Sequence, residues 1–348
     1  MRALKTILII LGVLLALVII LGLTGSDTYR YERSVTIAAP ADAVYEHVAS
    51  LGAMDKWSPW NDLDPNVKKS IEGTDGAVGA VAKWEGNDDI GKGEQRLDTL
   101  VPGKLVRTHL TFLEPWQQEC GAGIDLAQAG DSTKVTWFMV GENNFMGKVM
   151  GVFMDMDAMI GKDFEKGLGR LKSIAEEDAA KAREERDKLL AAYTIETGER
   201  PATLYVGVRK TIKWAEMKQF LAESFGATGA AMRAAKVKPA GTPTGVYFKW
   251  DEVNQEVDVL AGFPIAADAK GKVVAEGITE YESPASTAYW TKYMGGYNNM
   301  EPAHMALDAK IKMDGREHHT NVIEEYVTDP GITPDSTQWQ TNIIWLAK

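Results

Sequence analysis

The chain has 348 residues, 45% of them hydrophobic and 25% charged, and a net charge of −11. That length points to two folded units, each able to bury a core. Without a basic block the chain is excluded from nucleic-acid partners, whose phosphates need clustered Lys and Arg, whereas cationic and neutral ligands stay open. Cys120 is the sole cysteine, which excludes an internal disulfide, a cysteine-based zinc site and a CxxC redox motif.

The N-terminus "MRALKTILIILGVLLALVIILGLTGSD" carries Arg2 and Lys5 and then no charge until Asp27. Its apolar run from Thr6 to Gly25 matches the ~20 residues a helix needs to cross ~30 Å of hydrocarbon. "GLTGSD" offers no A-x-A cleavage site, so residues 1–28 are expected to be a retained transmembrane anchor rather than a cleaved signal. The charges precede the helix, which leaves the N-terminus in the cytoplasm and the rest outside. In a bacterium this describes a single-pass inner-membrane protein with periplasmic or extracellular domains.

Next comes "YERSVTIAAPADAVYEHVASLGAMDKWSPW". Arg33 to Ile37 alternates as a strand, and "APAD" turns the chain into a helix with Val44, Val48 and Leu51 on one stripe. Strand-like runs follow in "GAVAKWEG", "GEQRLDTLVPG", "LVRTHLTFLEP", "QQECGAGIDLAQAG" and "STKVTWFMVG", each bounded by turn residues. A long helix is then predicted from Phe153, Met156, Ile160, Phe164, Leu168, Leu171 and Ile174 at spacings of three and four. The order suggests a curved antiparallel sheet around a terminal helix.

The stretch "TIAAPADAVYEHVASLGAMDKWSPW" resembles the opening of SRPBCC (START-like, polyketide-cyclase-like) domains, and the resemblance covers residues 29–175. It implies a helix-grip fold with a deep apolar cavity; family members bind lipids, hormones and polyketides, and some catalyse. Among the titratable candidates His47, His109, Glu114 and Asp98 no Ser/His/Asp or Cys/His set forms. Met139, Met146, Met150, Met154, Met156 and Met159, like Trp57, Trp60, Trp84, Trp116 and Trp137, are read first as core.

Residues 176–199, within "IAEEDAAKAREERDKLLAAYTIETGER", are charged and alanine-rich and read as a helical linker. Residues 200–348 then run strand, helix, strand, strand twice over: "ATLYVGVRK", "WAEMKQFLAESFGATGAAMRAA", "GVYFKWD", "QEVDVLAGFPI", and then "ASTAYWTKYMG", "NMEPAHMALDAKIKMDG", "HTNVIEEYVTD", "QWQTNIIWLA". Two similar halves side by side leave a cleft between them, where pockets favour forming. "GVYFKWDEVNQEVDVLAGFPI", "AYWTKYMGGYNNMEPAHMAL" and "VIEEYVTDPGITPDSTQWQTNIIW" resemble the GyrI-like (gyrase-inhibitor-like) effector-binding domain. The expected fold is therefore α+β: an anchor helix, a START-like domain and a GyrI-like domain of two repeats. The chain lacks a helix-turn-helix pattern and a basic face, so no DNA-linked role is expected.

In "IEEYVTDP" alternation puts Val322, Glu324, Tyr326 and Thr328 on one face and Ile323, Glu325 and Val327 on the other, and does not by itself choose between the two glutamates. The resemblance maps a Glu-x-Tyr pattern onto Glu324 and Tyr326, whose glutamate would face the ligand cleft. Tyr205, Tyr247, Trp250, Tyr289, Trp290 and Tyr293 lie on strands able to offer ring faces to a lipophilic cation. His318 and His319 are adjacent on a strand and point oppositely. His304 falls on a helix stripe with Met300, Leu307 and Ile311 and reads as a half-buried packing histidine. No metal and no cofactor are expected. The sequence thus points to a membrane-anchored binder of hydrophobic small molecules, cationic ones included. One alternative is a hydrolase of reactive small molecules with Glu324 as general base. The other is an envelope lipid-handling or assembly factor.

Overall fold

The computed structural model describes residues 2–115 and 117–348; Trp116 and the side chains of residues 2–4, 8, 14, 15 and 320 lie outside the described residues. The chain falls into two compact units, the first ending at Ala182 and the second running from Arg183 to Lys348.

Helix α1 (Arg2–Thr24) comes first. Its window Lys5–Thr24 is 20 residues long with a mean hydropathy of 3.2. That length and composition fit a membrane span, and a signal sequence meets the same test.

The first unit continues with β1 (Thr28–Ile37), short helices α2 (Ala41–Glu46) and α3 (Leu51–Asp55), and strands β2 (Lys68–Glu72), β3 (Val81–Glu85), β4 (Lys92–Val101), β5 (Leu105–Glu114), β6 (Gln118–Ala129) and β7 (Ser132–Glu142). Helices α4 (Phe145–Phe153) and α5 (Met156–Ala192) follow. The strands form one antiparallel sheet in the order β1-β7-β6-β5-β4-β3-β2. Along β7, Val135, Trp137 and Met139 alternate inward, and from α5 Phe164, Leu168 and Leu171 join them in one buried cluster. This is consistent with the helix-grip arrangement. The Trp137 ring stacks on Phe164 at 4.2 Å and takes the edges of Trp57 at 5.0 Å and Trp60 at 5.4 Å. Four large rings therefore occupy the space between this part of the sheet and α5.

Three expectations change here. The long helix is two helices, because Met154 is extended and Asp155 Oδ1 accepts from the Ala158 amide at 2.9 Å, starting α5 afresh. Met146, Met150, Met154 and Met159 are exposed, whereas Met139 is core. The stretch expected to be a linker is the continuation of α5 followed by a strand, β8 (Ile195–Arg200).

The second unit adds β9 (Thr203–Lys213), α6 (Met217–Ala234), β10 (Thr244–Asp251), β11 (Glu256–Ile265), β12 (Ile278–Ser283), β13 (Ser286–Met294), α7 (Glu301–Met313), β14 (His318–Tyr326) and β15 (Gln340–Ala347). Its sheet runs β12-β9-β11-β10-β14-β15-β13-β8. The halves β9-α6-β10-β11 and β13-α7-β14-β15 meet where β10 pairs antiparallel with β14. Each half also lends a strand to the far edge of the other: β8 pairs with β13, and β12 with β9. One sheet face carries Val259, Tyr247, Val322 and Ile343 against Leu307 and Ile311 of α7. The opposite face carries Tyr205, Val246, Ile323 and Ile344.

Candidate functional site

Strand β14 separates the two glutamates. Glu325 joins the face of Ile323 and pairs with Arg200 Nη2 at 2.8 Å, while Asn342 Nδ2 donates to its other oxygen at 3.1 Å. With Arg200, Gln340 and Thr242 it lines an open surface cavity of about 490 Å³. Glu324 faces the helices and is 2% exposed.

Every partner of the Glu324 carboxylate is a donor. Tyr326 donates its hydroxyl to Oε2 at 2.8 Å. The Tyr247 hydroxyl lies 2.6 Å from that of Tyr326, and since the Tyr326 proton is committed to Glu324, Tyr247 is the donor of that pair. On the other side His304 Nε2 stands 3.2 Å from Oε1. The Trp345 indole N–H donates to His304 Nδ1 at 3.1 Å, so the neutral imidazole carries its proton on Nε2 and presents it to the carboxylate. Among the described residues no Lys or Arg pairs with Glu324.

Local sequence explains how these groups meet. Gly245 lies opposite Glu324 across the β10–β14 pair. A Cβ at Gly245 would sit 2.9 Å from the Tyr247 ring, so the missing side chain lets that ring lie back along its own strand. A register shift between Tyr247 and Lys249 inserts an extra residue in β10. This bulge turns Trp250 onto the side of Tyr247, where the rings stack at 5.2 Å and 18°. Phe225 of α6 and Tyr297 pack their edges on Tyr326 at 5.8 Å and 5.3 Å, and Trp339 lies 5.0 Å from Tyr297. Both halves contribute, through Phe225 and Tyr247 from one and His304, Tyr297, Tyr326 and Trp345 from the other.

Burial first, and then the charge of Glu324, push the Tyr247 and Tyr326 hydroxyls well above the ordinary tyrosine value. Both stay protonated in the folded state at pH values where the unfolded chain, near 10, has begun to lose its protons. Above pH 10 the folded form binds more protons than the unfolded one, so stability falls as pH rises. Two such groups give a slope of about 2.7 kcal/mol per pH unit. Urea titrations of the wild type between pH 9 and 11 should show this loss, to which other tyrosines such as buried Tyr205 and half-buried Tyr297 add, and Tyr247→Phe should lower the slope by up to about 1.4 kcal/mol per pH unit. An unchanged slope in Tyr247→Phe would mean that its hydroxyl titrates normally.

Glu324, Tyr326, Tyr247 and Trp250 are thus brought together. Tyr289 and Tyr293 are buried on the helix side but close on their own half: Tyr289 donates to Asp314 Oδ2 at 2.8 Å and Tyr293 to the Gly296 carbonyl at 3.2 Å. Tyr205 and Trp290 belong to the cluster on the opposite sheet face, where Arg200 Nη2 donates to the Tyr205 hydroxyl at 3.1 Å. Strand alternation separates them from Glu324 by the thickness of the sheet. His304, Trp345, Tyr297, Phe225 and Trp339 were not anticipated at the site. A histidine on a helix stripe that covers the sheet needs a buried partner, and that requirement is the sequence signal for His304. In the first unit His47 pairs with Asp178 at 3.5 Å, His109 with Glu119 at 3.4 Å and Asp98 with Arg96 at 2.8 Å, while Glu114 is exposed. They are separate surface pairs.

Residues 28–176 match the family described as polyketide cyclase / dehydrase and lipid transport. The first unit is thus similar to a family associated with small-molecule binding, and the match leaves the second unit uncovered. No curated protein matches the chain. Among solved structures, EcmrR in its DNA complex is 15% identical, with a TM-score of 0.39 over 52% of this chain and 71% of that one. The EcmrR C-terminal domain is 17% identical, with a TM-score of 0.36 over 45% of this chain and 98% of that one. The Zhui aromatase/cyclase from Streptomyces sp. R1128 is 15% identical, with a TM-score of 0.31 over 43% and 94%. Likeness at this level does not transfer an activity.

Proposed function

We propose that this protein is a membrane-anchored binder of hydrophobic small molecules, and that residues 200–348 form an effector-binding module in which Glu324 receives a cationic group. One observation carries the reading: a buried carboxylate surrounded by aromatic rings and donors but by no Lys or Arg among the described residues. Glu325, its neighbour, has Arg200. A buried anion without a cation is costly, and a lipophilic cation entering among Tyr297, Tyr326, Tyr247 and Trp250 supplies both the missing charge and the apolar surface. The family matched by residues 28–176 supports small-molecule binding in general.

The hydrolase reading draws support from the His304–Glu324 pair, which resembles an acid–base couple. Against it, the carboxylate is 2% exposed and Oε2 is engaged by the Tyr326 hydroxyl, which leaves little access for the water a general base would activate. Binding is the better use of the geometry.

The test titrates full-length wild type and Glu324→Gln in nanodiscs, with empty nanodiscs subtracted, using a cationic rhodamine ester and neutral Nile red. Losing a charge-assisted contact of ~1.5–3 kcal/mol should weaken the cation about tenfold or more and leave Nile red unchanged. Equal binding of the rhodamine by both proteins would remove Glu324 from the ligand site. Turnover of an ester probe by wild type alone would favour the hydrolase.

A further inference from the structure

Outside α1, the most exposed apolar surface of the first unit is α4. In the sequence FMGKVMGVF, Lys148 is the only charged side chain, and it is drawn away to Asp27. Met146 is 61% exposed, Val152 56% and Phe153 67%, with Phe145 and Met150 also exposed and Met154 following directly. A water-facing helix does not leave such a run uncovered; a contiguous patch of this kind marks an interface.

What covers it follows from its position. Asn143 ties the entry to α4 to the exit of α1: its amide donates to the Asp27 carbonyl at 2.8 Å and its Nδ2 to the Ser26 carbonyl at 3.1 Å. On α1 the less exposed residues Val18, Leu21, Gly22 and Gly25 fall at helical spacing, and α4 packs along them. The Phe145 ring fills the place a side chain at Gly22 would take, and the Lys148 Cβ lies 2.7 Å from where a Cβ at Gly25 would stand. The two glycines therefore let α4 come close beside α1. Val18, Leu21 and Gly22 belong to the apolar window Lys5–Thr24. Whatever depth the last turn of that window takes in a bilayer, Phe145 at the start of α4 shares it.

We infer that α4 is a membrane-seated helix, its exposed Met146, Met150, Val152, Phe153 and Met154 lying among the acyl chains of the bilayer that holds α1. The inference rests on α1 being a retained anchor. It gives α4 a task that no packing within the protein explains: it seats the junction of α4 and α5 on the lipid surface, where hydrophobic molecules partition. Apolar faces held at this depth gain their stability from lipid contact.

The test uses the full-length chain in phosphatidylcholine vesicles, with an environment-sensitive dye on Phe153→Cys, Ile10→Cys or Asp131→Cys. Native Cys120 stays in place, because burial pushes its thiol up to about 11 and leaves it unlabelled. A spin label near the headgroup end of the acyl chain serves as quencher. The expected result is that Phe153→Cys loses emission, Ile10→Cys loses emission and Asp131→Cys, on the exposed β6–β7 turn, loses none. Quenching at Ile10 without quenching at Phe153 overturns the seating of α4 and points to a protein cover. Quenching at neither overturns the anchor and the seating together, while leaving the Glu324 site untouched.

Discussion

Trp137→Ala is expected to destabilise the first unit by about 3–5 kcal/mol, the usual cost of deleting a buried tryptophan. The ring is 8% exposed and touches three other large rings, Phe164, Trp57 and Trp60. Removing it leaves a hole bounded by side chains on a sheet and on a helix, neither of which collapses easily. Hydrogen exchange read peptide by peptide separates the two units, which a single melting curve does not. The slowest amides of β1 and β7 should exchange two to four orders of magnitude faster, the fold-change that ~3–5 kcal/mol corresponds to. Amides of β10 and β14 should not change. Val78→Ala, at a 62% exposed position, serves as the control and should shift exchange by less than about threefold. An acceleration below tenfold in Trp137→Ala would show that the rings stand in an adaptable space, the deep cavity expected of this family, rather than in a packed core.

How much of this was legible depends on whether a feature leaves a periodic trace. Strands β4 to β7 and the stripe of α5 were readable because one face of each is buried, so apolar residues recur at period 2 or near 3.6. Strand β2 left no trace, because all five of its residues are exposed. Strand β8, "IETGER", is an edge strand whose pairing to β13 is long-range, and its polar composition extends that of α5. The break before α5 was hidden because Phe153, Met156 and Ile160 keep helical spacing across it. Its one local sign was Asp155 three residues ahead of the amide it caps.

The site was legible in half. Glu324, Tyr326 and Tyr247 could be named, but alternation alone did not choose between Glu324 and Glu325. Their partners differ: Arg200, 125 residues earlier, pairs with Glu325, and His304 of α7 stands beside Glu324. Such pairings follow from which strand lies next to which, and local periodicity carries no information about it. Tyr205 and Trp290 show the converse, since strands that neighbour the site still place half of their residues on its far side. Trp250 reaches the Tyr247 side only through a bulge that no residue type announced.

Glu324→Ala should cost the second unit about 1–3 kcal/mol, the range for leaving a buried donor without its acceptor. The loss arises from what is left behind. Tyr326 and His304 Nε2 lose their acceptor, and Tyr326 and Tyr247 are both buried. His304→Ala should cost less, because the imidazole is 21% exposed and water can take its place beside Oε1. Tyr326→Phe removes a hydrogen bond to a charged group, worth about 1.5–3 kcal/mol, and orphans the Tyr247 hydroxyl. In the double variant Glu324→Ala/Tyr326→Phe the Tyr326 donor is gone, so the second change should cost less than it does alone. Hydrogen exchange at β10 and β14 should therefore give a coupling energy of about 1–3 kcal/mol between the two positions. Additivity within about 0.5 kcal/mol would mean that the hydroxyl and the carboxylate stand side by side without depending on each other. The proposed cation site would then rest on a carboxylate whose position the Tyr326 hydroxyl does not fix.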